Sequence, residues 1–273
     1  MLPLWRNRVC IAISPEHISL VKLGRGLKPK LLAKFDEAIE IAVKQPLWQA
    51  VLEKLDLALA KPELQHFEVD IVLSNRLVRY AIIPANDQLK KYTEKEAYAR
   101  HLLTQTYGAV VSLWSLRIQP GKSNEAKLVS AIDDALLAGL KHVCEKNKLE
   151  LRSVTPYLMP VFNRYRKLLK TESSWLVINE PGYSLVALLA NDAFTSVSGA
   201  SHGNISELSV ILDRENLVST LAVPCKTVYL HAPVAGILPS KDGYELNRLE
   251  LEVPEGYPAL SEGLYAMAMS GVI

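Results

Sequence analysis

The sequence predicts an α/β protein made of two like halves, each a mixed sheet covered by helices. Two hairpins and one repeated order of elements carry this prediction. The first hairpin is Val9–Leu23, an apolar strand, the turn Ser14-Pro15-Glu16-His17, and a second apolar strand. The second is Trp175–Leu189, with its turn at Asn179-Glu180-Pro181-Gly182. After each, the pattern runs strand, helix, strand, helix, which duplicates architecture without duplicating sequence.

In the first half, alternation over Leu31–Ile41 predicts a third strand. Pro46 suits a first-turn position and opens a helix whose Leu47, Val51, Leu55 and Leu59 share one face. Glu68–Leu73 is a compact apolar run of the kind found in buried central strands. Val78–Ile83 is a strand ending at Pro84. Tyr92–Tyr107 is a helix with Thr93 and Glu96 at capping-box spacing and Gly108 as its stop. Ser112–Ile118 and Ala126–Ile132 form a hairpin closed by Pro120–Asn124. Asp133 or Asp134 caps a helix running to about Asn147, followed by the strand Leu151–Thr155 and a helix over Leu158–Leu169.

The second half continues from its hairpin with a strand at Ala193–Ser198 and a helix at Ile205–Leu217. A short buried strand follows at Lys226–Leu230, and a small-residue helix at Ala259–Met269 closes the chain.

Composition narrows the function classes. The 273 residues suffice for one large or two smaller domains. A net charge of +2, with both signs mixed along the chain, argues against a nucleic-acid groove. Cys10, Cys144 and Cys225 are odd in number and far apart, with no metal-ligand spacing. They point to a reducing, cytoplasmic setting and to no metal. The apolar run after the first eight residues ends at Ser14-Pro15, too short for a secretion signal. The later run Leu185–Ala190 is far below the roughly 18 residues of a membrane span. Any membrane association is therefore expected to go through a protein partner.

The element order, the hairpin Val9–Leu23, the run Val72-Leu-Ser-Asn-Arg-Leu-Val-Arg-Tyr-Ala-Ile-Ile-Pro84 and the stretch Leu128–Pro156 resemble the actin-like (ribonuclease H-like, duplicated) fold. Within it they resemble the cytoplasmic pilus and secretion assembly proteins of the PilM, GspL and MshI kind. The closing Gly263–Met269 helix is similar to the one that ends actin-like domains. The resemblance implies a first half over 1–156 with an inserted subdomain. It implies a second half over 157–273 whose own subdomain is reduced.

A phosphate-gripping turn uses small residues, so that backbone N–H groups close around the anion. Laid on the family's first phosphate hairpin, the usual aspartate falls on Ala12, the glycine on Ser14 and the lysine on Ser19. On the second, the acidic residue falls on Ile178 or Asn179, and a glycine on Glu180. The adenosine-side turn falls on His231-Ala232-Pro233. Each departs from the pattern, so no nucleotide or other cofactor and no catalytic residue is expected.

The resemblance then implies a non-catalytic scaffold at the cytoplasmic face of the inner membrane. It would bind the cytoplasmic tail of a membrane assembly protein of a type IV pilus-like or type II secretion-like machine. The alternative is a diverged nucleotide-binding enzyme or switch of the sugar kinase/actin superfamily. Arg76, Arg79 and Tyr80, on the Val72–Pro84 hairpin, are either a charged edge that blocks sheet aggregation or anchors for an added peptide strand.

Other motifs read as ordinary structure. Gly121-Lys122-Ser123 lacks the earlier glycine of a phosphate loop, since Leu116 stands there, and it lies between strands. Glu16 and His17 form an exposed polar turn, and His231 follows a buried strand. His101 and His142 fall in helices. Ser201 beside His202 is no catalytic dyad by adjacency alone, and no GxSxG elbow occurs. Trp5 with Leu2–Leu4 forms an apolar patch that either packs on the first sheet or covers a partner.

Overall fold

Among the described residues, apolar strand runs and amphipathic helices form two five-stranded sheets of identical topology and one three-stranded sheet. The computed structural model describes residues 7–25, 30–39, 47–121, 125–169, 173–203, 207–219, 221, 223–232, 243–250 and 263–271. The first sheet contains β1 (Arg8–Ile13), β2 (His17–Leu23), β3 (Leu31–Ala38), β4 (Glu68–Leu73) and β8 (Glu150–Pro156) in the order β3-β2-β1-β4-β8. The hairpin pairs β3-β2-β1 are antiparallel, and β1-β4-β8 are parallel. The second sheet contains β9 (Ser173–Glu180), β10 (Tyr183–Ala190), β11 (Ala193–Ser201), β12 (Thr227–His231) and β13 (Glu245–Arg248) in the order β11-β10-β9-β12-β13. Its pairings repeat those of the first in direction, strand for strand. The duplication expected from the sequence is thus present in the ladder itself.

The chain divides into two compact, interleaved units. The first comprises Met1–Leu77, Ile132–Pro160 and Leu251–Ile273, and the second Val78–Ala131 and Val161–Glu250. Residue 156 still separates the strands of the two large sheets. The inserted segment, however, groups with the second unit, and the closing helix with the first.

In the first unit, Val9–Ile13 of β1 are all buried, so both faces of the sheet centre are covered. The helices α1 (Leu47–Leu59), α3 (Asp134–Lys146) and α6 (Gly263–Ser270) supply the cover. Val51, Leu55 and Leu59 of α1 are buried, as their spacing predicts. Gly139 lets α3 approach α1, since a Cβ there would overlap Leu52. Asp133 caps α3, its carboxylate accepting from the Ala135 N–H at 2.8 Å.

In the second unit, α5 (Leu208–Val218) packs Leu208, Ile211 and Leu212 against Trp175, Val177, Val228 and Leu230 of the sheet. The small sheet β5-β7-β6 combines β5 (Arg79–Ile83), β6 (Trp114–Ile118) and β7 (Lys127–Asp133). Helix α2 (Tyr92–Tyr107) places Ala99 and Leu103 in its core with Ile83, Val129 and Ala131. Helix α4 (Leu158–Tyr165) follows β8 in the chain, and its Phe162 ring packs on Phe194 with centroids 4.6 Å apart.

Several sequence expectations change. Helix α2 starts at Tyr92, which brings Glu94, and not Glu96, back to the N-terminal N–H groups. Glu94 accepts from Lys90 and Lys91 at 3.0 and 2.9 Å. Gly108 does end the helix, at φ +74°, a conformation that favours glycine. Residues Gly108–Leu113 form a 3₁₀ turn, so β6 begins at Trp114. Helix α4 ends at Tyr165, and β11 runs on to Ser201. The second hairpin turn narrows to Pro181-Gly182, with Gly182 at φ +67°, because Asn179 and Glu180 remain in the ladder. Strand β13 has no counterpart in the sequence reading. Pro46, Lys122–Asn124, Ile205, Pro233, the start of the closing helix and the Trp5 patch lie outside the described residues.

Candidate functional site

The two hairpin turns correspond to the family's phosphate hairpins and the β5 edge to the expected docking residues, and each is built from its own hydrogen bonds. In the first turn the Ser14 hydroxyl accepts from the His17 N–H at 3.0 Å and lies 3.2 Å from the His17 carbonyl. The Ser14 N–H also donates to that carbonyl at 2.9 Å. Arg76 donates to the Glu16 carboxylate and so ties the turn to the segment after β4. Ser19 is buried and donates to Asp36 of β3 at 2.9 Å, with His17 Nδ1 3.8 Å from the same carboxylate. Ala12 pairs with Ser19 inside the ladder and offers only a methyl group.

In the second hairpin, Asn179 of β9 and Ser184 of β10 face each other in register. The Ser184 hydroxyl donates to Asn179 Oδ1 at 3.0 Å and lies 2.9 Å from His202 Nε2. The His202 N–H donates to the Gly182 carbonyl at 3.1 Å, so this residue holds the turn by both backbone and ring. Glu180 is buried. Its charge acts on Tyr80, whose phenol is held well above 10 by burial, then by Glu180 and Tyr183. Tyr183 lies flat on β11, where a Cβ at Gly199 would overlap its ring.

The three candidate docking residues have different surroundings. Arg76 is committed to Glu16 in the first unit. Tyr80 is half-buried in the second and is influenced by Glu180. Arg79 sits over the Tyr107 ring, 5.8 Å from its centroid, and donates to the Val78 carbonyl at 3.2 Å. Around it lies a patch the sequence reading missed. Tyr107 meets Trp114 edge-on at 5.2 Å, and Val110 and Leu113 are exposed beside them in the chain. Arg100 holds this 3₁₀ turn in place, donating to the Val111 and Trp114 carbonyls at 3.1 and 3.2 Å and to Glu96 at 3.1 Å. The available signal was the apolar triplet Ala109–Val111 just before the predicted strand Ser112–Ile118, which had already claimed Leu113 and Trp114.

The remaining histidines are ordinary in setting. His101 and His142 are exposed on helices. His231 is buried at the end of β12, and burial lowers its pKa to about 4, so it is neutral at physiological pH. Among the described residues no group of His, Cys, Asp and Glu could hold a metal, and no helix is long and apolar enough to cross a membrane.

No protein-family model matches the chain, and no curated protein matches it. Solved structures do. The chain is similar to the PilM–PilN type IV pilus biogenesis complex at 14% identity and a TM-score of 0.63, covering 96% of each chain. It is similar to the cytoplasmic domain of EpsL, an inner membrane component of the type II secretion system of Vibrio cholerae. There the identity is 11% and the TM-score 0.60, over 97% of this chain and 95% of that one. A Bacteroides thetaiotaomicron protein of actin-like ATPase fold and unknown function matches at 11% identity and a TM-score of 0.58, over 87% and 86%. At such identities the likeness speaks for architecture, and with the duplicated sheets it establishes that this chain has the actin-like fold.

Proposed function

We propose that this protein is a non-catalytic scaffold in a type IV pilus-like or type II secretion-like assembly. It works at the cytoplasmic face of the inner membrane by binding the cytoplasmic tail of a membrane assembly protein. The observation that carries the reading is the state of the two hairpins. Their polar groups are spent on each other: Ser14 on His17, Ser19 on Asp36, Asn179 on Ser184. A nucleotide's Mg²⁺ is held through carboxylates and water, and a methyl group stands at Ala12 where that carboxylate would be. The residues present therefore do not fit a bound nucleotide. The partner class draws support from two similar structures, one a complex with PilN and the other part of an inner membrane component. The docking site draws support from the Arg79–Tyr107–Leu113 patch beside edge strand β5, since arginine and aromatic side chains make strong anchors.

The test is thermal unfolding with ATP and Mg²⁺. A ligand that binds only the folded state raises the melting temperature by linkage. No saturable shift is expected at millimolar ATP. A saturable shift abolished by Ser14→Glu or Glu180→Arg would move the protein to the nucleotide-dependent class.

A further inference from the structure

Helix α5 is apolar on two sides. Leu208, Ile211 and Leu212 face the core, while Val210 and Leu217 lie on the outer side at 65% and 86% exposure. A surface helix ordinarily presents a polar outer face. On this one the outer stripe reads Val210, Asp213, Arg214, Leu217, at spacings of three, one and three residues, which keeps all four on one face. Val218, at the end of the helix, and Val223, in the segment after it, are exposed as well.

The stripe is self-complementary under one symmetry only. Its midpoint falls between Asp213 and Arg214. A two-fold axis through that point, perpendicular to the helix, sets Val210 against Leu217 of a second copy and Asp213 against its Arg214. The parallel alternative would set like charge on like charge. Both charged side chains are already positioned. Tyr244 donates to Asp213 at 2.9 Å, and Arg214 donates to buried Glu215 at 2.8 and 3.2 Å. Asn216 locks this corner, donating to the Tyr244 hydroxyl and the Cys225 carbonyl and accepting from the Cys225 N–H.

We infer that the outer face of α5 is a self-association surface, on which two copies of this chain pair antiparallel about a two-fold axis. An isologous contact of this kind closes as a dimer. A single-helix face is smaller than a standard interface, so the association is weak and concentration-dependent.

The experiment is sedimentation velocity of the full chain over a concentration series into the hundreds of micromolar. The wild type is expected to dimerise. Val210→Glu and Leu217→Arg, both at exposed positions, are each expected to weaken the dimer at least about tenfold, with the melting temperature of the monomer unchanged. Mixing the two variants is expected to restore a dimer. In the antiparallel pair, Glu at 210 meets Arg at 217 on one side of the axis, while native Leu217 meets native Val210 on the other. A wild type that stays monomeric would overturn the inference and assign the face to a different protein. A dimer insensitive to both variants would place self-association elsewhere. Weakening without rescue in the mixture would overturn the antiparallel pairing.

Discussion

The Ser184 hydroxyl and the His202 ring, eighteen residues apart in the chain, meet at 2.9 Å at the closed end of the second hairpin. The distance suits a nucleophile and its base, but the setting does not. Ser184 is fully buried, and its hydroxyl is spent on Asn179. The group that would orient a catalytic histidine instead contacts the serine. The arrangement is a tie across the hairpin, which leads to the first prediction.

Ser184→Ala strands the Asn179 carbonyl oxygen and the His202 Nε2 together. Removing one partner from a buried hydrogen-bonded group costs about 1–3 kcal/mol. Urea unfolding is expected to show a loss in that range, with the slope against denaturant unchanged. A fluorophosphonate probe for activated serines is expected to leave Ser184 unlabelled. Labelling at this residue would replace the structural tie with catalysis.

Asp70 contributes to the acid stability of the first unit. It sits in the buried strand β4 and accepts from Arg152 at 2.9 and 2.7 Å, from Ser153 at 2.6 Å, and from Arg8. Burial alone would push its carboxyl up. The Arg152, Ser153 and Arg8 hydrogen bonds together outweigh burial and hold it below the ordinary value. A carboxyl depressed in the folded state adds stability above its unfolded value of about 3.9, and that stability is lost as pH falls through the lower folded value. Stability is therefore expected to fall steeply below about pH 4. Asp70→Asn is expected to cost about 3 kcal/mol at neutral pH, the low end for a broken buried pair because Arg152 is partly exposed. It should also flatten the acid limb. Chemical denaturation at a series of pH values checks both, and an unchanged limb in the variant would assign acid sensitivity to other groups.

What the sequence revealed of this fold, and what it hid, follows from locality. β4 and α2 could be read to the residue, because a six-residue stretch with four apolar residues and a glycine stop are local signals. β13, Glu-Leu-Asn-Arg, could not, because an outer strand of four mostly polar residues has neither alternation nor an apolar run. The hairpin positions were found, yet their internal hydrogen bonds were invisible until strand register was known. Ser184 reaches His202 only because β10 pairs Tyr183 with Ser201. Asp70 stands inside the stretch read as β4, and its partners Arg8 and Arg152 lie on two neighbouring strands, which sequence spacing does not reveal. The Arg79 patch was hidden differently: Leu113 and Trp114 had a use as strand, and only the 3₁₀ turn leaves Val110 and Leu113 exposed.

The docking proposal makes its prediction on that patch. Arg79 lies on the face of Tyr107, and Leu113 is 61% exposed close by in the chain. If a membrane protein's tail docks here, Arg79→Glu and Leu113→Glu each remove an anchor without opening the core. Loss of a central anchor costs about 2 kcal/mol, or roughly thirtyfold in affinity. The melting temperature is expected to change little, since a cation over an aromatic ring at a partly exposed site is worth about 0.5–1 kcal/mol. Tyr80→Ala is expected to behave in the opposite way. It empties a half-buried site acted on by Glu180 and Tyr183, so stability falls while binding per folded molecule holds. Fluorescence anisotropy with a labelled tail peptide, run beside thermal unfolding on the same three variants, reads both quantities. Unaltered affinity in Arg79→Glu and Leu113→Glu together would remove this face from the docking proposal. A loss of affinity in Tyr80→Ala alone would shift the peptide to the ladder of β5.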